Sequence, residues 1–308
     1  MSSNLVNLDA PRWDQSTYAG RAQHFLATTN PLNVLASDAE LDAAKQLVEE
    51  YKAGLHPHLS EDEIWSAKQL VDSAFHPDTG EKNFLAGRMA FQVPGNMIIT
   101  GCMMTFYRST PAVIFWQFMN QTFNSIVNYT NRNASTGVSQ EQLLQAYAAA
   151  TTASVATALG LNKFVAKRPK LSNGIVGRLV PLVAVAAANC VNIPLMQVGK
   201  SKRAAVEAVA QVVPSRILMA VPGMFFPPVI MNKLEQRPLF RNNKVINALT
   251  MVGLTGVCLS FSTPLCCALF PQRSSMAVSA LEPELQETIR QRTFKKDPVT
   301  HVFYNKGL

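Results

Sequence analysis

Residues 245–272 read VINALTMVGLTGVCLSFSTPLCCALFPQ and contain no charged side chain. A helix needs about 20 mostly apolar residues to cross roughly 30 Å of hydrocarbon, so this stretch is long enough to span a bilayer. Further uncharged runs cover residues 89–107, 109–131, 142–162, 179–199 and 217–232. A soluble domain seldom strings so many together. The pattern predicts an all-α, polytopic helical membrane protein with about five transmembrane helices. The spans are expected near residues 97–118, 143–162, 176–197, 213–232 and 248–270, several of them broken by proline.

Charge divides the rest of the chain. Of 308 residues, 28 are Lys or Arg and 20 are Asp or Glu, yet residues 1–81 hold thirteen acids against five bases. The remainder is therefore strongly basic. Its bases punctuate uncharged runs instead of clustering along a groove, which argues against nucleic acid as a partner and for the lipid bilayer. Three regions result: a polar, amphipathic helical region over 1–88, a transmembrane domain over 89–272 and a polar tail over 273–308. The segments 163–174 and 233–246 each carry four bases, whereas 120–142 and 198–212 carry one and three. With five spans, the positive-inside bias groups the N-terminus with the more basic segments. No cleavable signal is evident in residues 1–14, and the five cysteines fall in apolar runs, as buried small hydrophobes do.

Within 1–88, Ser37 with Glu40 and Ser60 with Glu63 fit capping boxes. The first opens a helix running to about Lys52, with Leu41, Ala44, Leu47, Val48 and Tyr51 on one stripe and Gly54 placed to end it. The second carries Ile64, Ala67, Leu70, Val71 and Phe75, and the segment His76-Pro77-Asp78-Thr79-Gly80 then makes a tight turn.

The candidate binding residues are polar groups inside apolar stretches. Arg108 falls near the centre of the first expected span, where a lone Arg costs at least roughly 2.5–3.5 kcal/mol. It either faces a polar cavity and attracts a carboxylate or, if 89–107 and 109–131 are separate segments, lies at an interface. Gln117, Asn120, Gln121, Asn124 and Asn128 recur at helical spacing, and their amides suit a neutral polar solute or act as interhelical glue. Asn189 and Asn192 precede Pro194 in an otherwise apolar run. Pro111, Pro181, Pro194, Pro214, Pro222, Pro227, Pro228 and Pro264 free backbone carbonyls that must find partners; Pro222 with Pro227-Pro228 is the prime candidate for a functional break. Ala146, Ala150, Ser154 and Ala158 make a small-residue packing stripe. His56 and His58 have no third ligand nearby, so no metal is expected. No cofactor fingerprint or nucleophile–base set is present, which argues against an enzyme.

Several segments resemble the sideroflexin family: Pro11 to Gln15, His76 to Lys82, Asn128 to Arg132, Ala186 to Pro194, Thr263 to Gln272 and Asn305 to Leu308. Within the signature His76, Pro77, Asp78, Thr79, Gly80 and Glu81 match in order, and the resemblance is strongest to the mitochondrial serine transport branch. It implies a multi-pass protein of the mitochondrial inner membrane, with five spans and a matrix N-terminus. Such a protein brings serine, with alanine, glycine or cysteine as further substrates, into the matrix for one-carbon metabolism. The alternatives are a tricarboxylate (citrate) carrier, which calls for several intramembrane bases, or a scaffold affecting iron and haem homeostasis. Between Met196 and Ala204 the chain is shorter than the family pattern by roughly twenty residues, a change that loops tolerate.

Overall fold

The computed structural model describes residues 6–56, 58–77, 79–107, 109–131, 139–168, 175–196, 201–241, 243–292 and 299–305. The N-terminal region folds as its capping residues dictate. After α1 (Tyr18–Thr28), α2 (Asp38–Lys52) and α3 (Glu61–Ala74) each begin with a complete capping box. Ser37 and Ser60 accept from the N–H groups of Glu40 and Glu63, whose carboxylates accept in return. Gly54, at φ +83°, ends α2 in the left-handed conformation that glycine adopts without strain. The apolar stripes of α2 and α3 meet around Val48, Tyr51, Ile64 and Trp65. The turn after α3 closes through a Phe75–Lys82 bridge, with Gly80 at φ +68° and the Lys45 ammonium donating to its carbonyl at 2.9 Å.

Among the described residues, six further helices form the apolar part: α4 (Gln92–Thr105), α5 (Thr110–Thr130), α6 (Gln140–Ala166), α7 (Val180–Met196), α8 (Lys202–Leu234) and α9 (Lys244–Cys267). Each packs on the next, and α9 returns to α4, closing a ring. Small residues set the spacing. Ala146, Ala150, Ser154 and Ala158 of α6 are buried, on the helix that packs most extensively with α7. Gly101 of α4 faces the Val252 backbone, and the hydroxyls of Ser215 and Ser262 donate to Cys266 O and Met219 O between α8 and α9. Methionines 103, 104, 224, 231 and 251 fill the adjoining core.

Burial across this ring inverts the rule for soluble proteins. Leu249, Val257 and Phe261 are 67%, 62% and 62% exposed, while Ser154, Ser215 and Thr255 are fully buried. Large apolar side chains face outward because their solvent is hydrocarbon, and hydroxyls turn inward. At about 1.5 Å per residue, α8 and α9 reach roughly 50 and 36 Å, and both are long and apolar enough to cross a membrane.

Two features differ from the sequence expectation. Residues 97–118 are not one span: α4 ends at Thr105 and α5 starts at Thr110, with Pro111 in the first turn, where its missing N–H costs no hydrogen bond. Conversely, Pro194 lies inside α7, Pro214, Pro222, Pro227 and Pro228 inside α8, and Pro264 inside α9, without ending these helices. The extra reversal changes the sidedness. Consecutive helices alternate in direction, so the N-terminal region and the tail share one end of the ring. There Tyr18 Oη donates to Leu265 O at 3.3 Å, and the buried Arg21 donates through Nε to Ala268 O at 2.8 Å. Lys163, Lys167, Arg168, Lys233, Arg237, Arg241 and Lys244 lie at the opposite end, so the N-terminal region does not sit with the more basic segments. The charge count assumed five passes, and the bundle has the two helices α4 and α5 where that count placed one span.

The tail forms α10 (Pro283–Arg292) and a two-stranded antiparallel pair, β1 (Arg273–Ala277) with β2 (His301–Asn305). It clasps the start of α8, where Glu282 Oε1 accepts from the Arg203 N–H at 3.0 Å and the Arg203 guanidinium donates to Ala280 O at 2.6 Å.

Candidate binding site

On α5 the positions 117, 120, 121, 124 and 128 fall within one arc of about 100°, since each residue advances roughly 100° around the axis. That arc faces the bundle at its middle. Gln117, Asn120 and Gln121 are 1%, 3% and 3% exposed, and Asn124 and Asn128 are partly buried. The arc carries an unmet hydrogen-bonding demand. Gln117 Oε1, Asn120 Nδ2 and Gln121 Nε2 are buried and find no hydrogen-bond partner among the described residues. An unpaired buried polar group costs about 1–3 kcal/mol, and three on adjacent turns require an explanation. None of these three atoms is bonded to a neighbouring helix.

Gln117 also lines a cavity bounded by Met103 and Tyr107, Val113 of α5, Ala158 and Asn162 of α6, and Val180 and Pro181 of α7. Its water-sized interior is about 10 Å³, room for about one water molecule. It adjoins the break between α4 and α5. Tyr107, at that turn, borders the cavity. Gln117 thus brings one free acceptor to a small, largely apolar cavity, Asn120 and Gln121 hold two free donors one turn further along α5, and no acidic or basic side chain is on the described lining.

The other sequence candidates are distributed differently. Arg108 lies outside the described residues, as does Asp78. Asn192 is buried and Asn189 partly buried on α7, but neither lines the cavity. His76, Pro77, Thr79, Gly80 and Glu81 belong to the turn after α3, where His76 N–H donates to Glu81 O and Gly80 N–H to His76 O; that signature shapes the N-terminal region. His56 Nε2 pairs with Glu50 at 2.6 Å, and no group of three metal-binding side chains occurs among the described residues. Asn162 and Tyr107 escaped sequence reading because each is a lone polar residue at the edge of an uncharged run. Periodicity cannot mark a single residue.

An apolar-outside helical ring around buried amides defines an all-α integral membrane protein. Among known families the chain matches the sideroflexins over residues 7–198 and 196–308. It is 52% identical to Sideroflexin-1 of Ovis aries, and 51% identical to both Sideroflexin-1 and Sideroflexin-3 of Homo sapiens, in each case across 98% of both chains. No solved structure matches it. The chain belongs to the sideroflexin family. Its aligned length of 321 exceeds its own 308 residues by 13, and the two family matches abut at 196–198, where the sequence reading noted a shortened loop.

Proposed function

We propose that this protein is a carrier of small neutral amino acids, with serine as its main substrate, in the mitochondrial inner membrane, where it supplies the matrix for one-carbon metabolism. It performs no covalent chemistry. The observation that carries this reading is the set of unpaired amide atoms on α5. A zwitterion brings an ammonium that needs acceptors and a carboxylate that needs donors. Gln117 Oε1 supplies the first; Asn120 Nδ2 and Gln121 Nε2 supply the second. A bound solute would satisfy all three, and amides do so without the desolvation penalty of a buried charge.

The cavity is closed to the size of a water, so transport requires the helices around it to part, first toward one face and then the other. The turn between α4 and α5, which borders the cavity, is where these helices are expected to shift. A tricarboxylate would demand several bases at the site, and the described lining holds none. Alanine, glycine and cysteine share the same two charged groups and belong to the same substrate class.

The test is uptake of labelled serine into vesicles containing the purified protein, competed by alanine, cysteine and citrate. Flux competed by the amino acids but not by citrate is the expected result. Flux no greater than in empty vesicles would reject the proposal.

A further inference from the structure

Beyond the amide site, a single carboxylate stands on the basic face. Glu235 is the only acid between Glu207 and Glu282, and it sits among Lys233, Arg237, Arg241 and Lys244. It caps the end of α8 and pairs with Arg178, from the short helical turn Ile175–Arg178 that leads into the neighbouring α7. The contact is a two-point fork: Arg178 Nη2 to Glu235 Oε2 at 2.6 Å and Nη1 to Oε1 at 3.3 Å. The Arg178 side chain is only 13% exposed.

This pair lies beside residues that line the cavity. Val180 and Pro181, two and three residues beyond Arg178, line the cavity, and Tyr107, another lining residue, lies within electrostatic reach of the guanidinium. Leu234, beside Glu235, packs in the same methionine core as the lining residue Met103. Parting α7 from α8 at this end means breaking the fork.

We propose that Arg178 and Glu235 form an outer recognition site for the two opposite charges of an amino-acid zwitterion, and that their ion pair is the closed state of that site. This rests on the carrier reading above and adds its specificity. Breaking a poorly hydrated ion pair leaves two charges in need of partners. A zwitterion supplies both replacements at once, its carboxylate to Arg178 and its ammonium to Glu235. An anion satisfies Arg178 but is repelled by Glu235, and an amine does the reverse, so neither opens the gate well. Beyond the gate, the amides of α5 offer the same complement without charge, and the solute passes from one set to the other.

The experiment uses the full chain in proteoliposomes and compares uptake of labelled serine, glycerate (a hydroxyl in place of the ammonium) and ethanolamine (no carboxylate). Glu235→Gln should lower serine uptake about tenfold and raise glycerate relative to serine. Arg178→Gln should lower serine uptake similarly and raise ethanolamine instead. The double exchange Arg178→Glu with Glu235→Arg should regain serine over both analogues, since a zwitterion can bind in either order. A merely structural pair would also be rescued by the exchange, but its single variants would leave the analogue ratios unchanged. Unchanged ratios in folded single variants, checked by thermal melting, would overturn the proposal. A second readout does not depend on serine being the substrate. Asn162→Cys should react faster with a membrane-impermeant maleimide when either single variant is present, above the background of the five native thiols, and revert in the double exchange. Equal labelling rates throughout would overturn the gate, whereas absent serine flux with gated labelling would overturn only the substrate assignment.

Discussion

At the scale of single residues, stability and function pull in opposite directions on α5. Gln117 Oε1 is buried and unbonded, and relieving an unsatisfied polar group is worth about 1–3 kcal/mol. Replacing this side chain by an apolar one of similar length should therefore help the fold. Gln117→Met is expected to raise the melting temperature of the detergent-solubilised protein by a few degrees while lowering serine flux at least about tenfold. Had the amide been structural glue, the same substitution would destabilise the protein; a lowered melting temperature would refute the assignment. Asn124→Leu, at a partly buried position of the same arc, should cost less flux. The sequence exposed this arc because five amides at helical spacing in an apolar run form a pattern. It could not tell which of them lacked partners, since that depends on the neighbouring helices.

At the scale of elements, what was legible follows from how local the determining physics is. Both capping boxes, the glycine that stops α2 and the small-residue stripe of α6 depend on side chains within a few positions of one another, and the structure has all of them. The separation of α4 from α5 was not resolved because residues 97–118 are apolar enough to read as one helix, and the packing of α4 on α5 and α9 that turns the chain back is not displayed in sequence. The prolines misled for the same reason in reverse, since neighbouring helices hold α8 together through four of them. Packing of α4 on α9 gives a paired expectation. A Cβ on Gly101 would sit 2.7 Å from Val252 Cα, which is backbone and cannot yield, whereas on Gly256 it would meet the Met97 sulfur at 2.7 Å, the end of a flexible chain. Gly101→Ala should destabilise by about 1–3 kcal/mol and Gly256→Ala by much less, read from thermal melts. The N-terminal helices have a pH limit of their own. Arg88, hydrogen-bonded to Asp38 at the start of α2, holds that carboxyl below its ordinary range, and the Ser37 N–H does the same for Glu40. Groups whose folded pKa is depressed contribute stability above their unfolded value and lose it as pH falls through the folded one. Protection factors over residues 38–52, taken relative to the intrinsic amide exchange rate at each pH, should therefore fall below about pH 4 and stay flat from pH 5 to 8.

At the scale of the whole molecule, one additional reversal decides which regions meet which compartment. With residues 97–118 as one span, the chain crosses an odd number of times and its ends part. With α4 and α5 as an antiparallel pair, six alternating helices bring the ends together, as the bonds of Tyr18 and Arg21 to the end of α9 require. The ring then has two unlike faces. One is closed by acidic helices tied to α9 and by a tail that clasps α8; the other bears the basic helix ends and the Arg178–Glu235 pair. Tags on the two termini should therefore be cleaved from the same side of sealed membranes, and a protease site inserted at residues 237–238 should be cut only from the other. If the termini instead report opposite sides, the α4–α5 pair does not cross and return, and the ring arrangement fails. The proposed gate would then fail as well, because its place at the end remote from the N-terminal helices follows from the same alternation. The same assay shows which compartment the basic face, and with it the Arg178–Glu235 pair, meets.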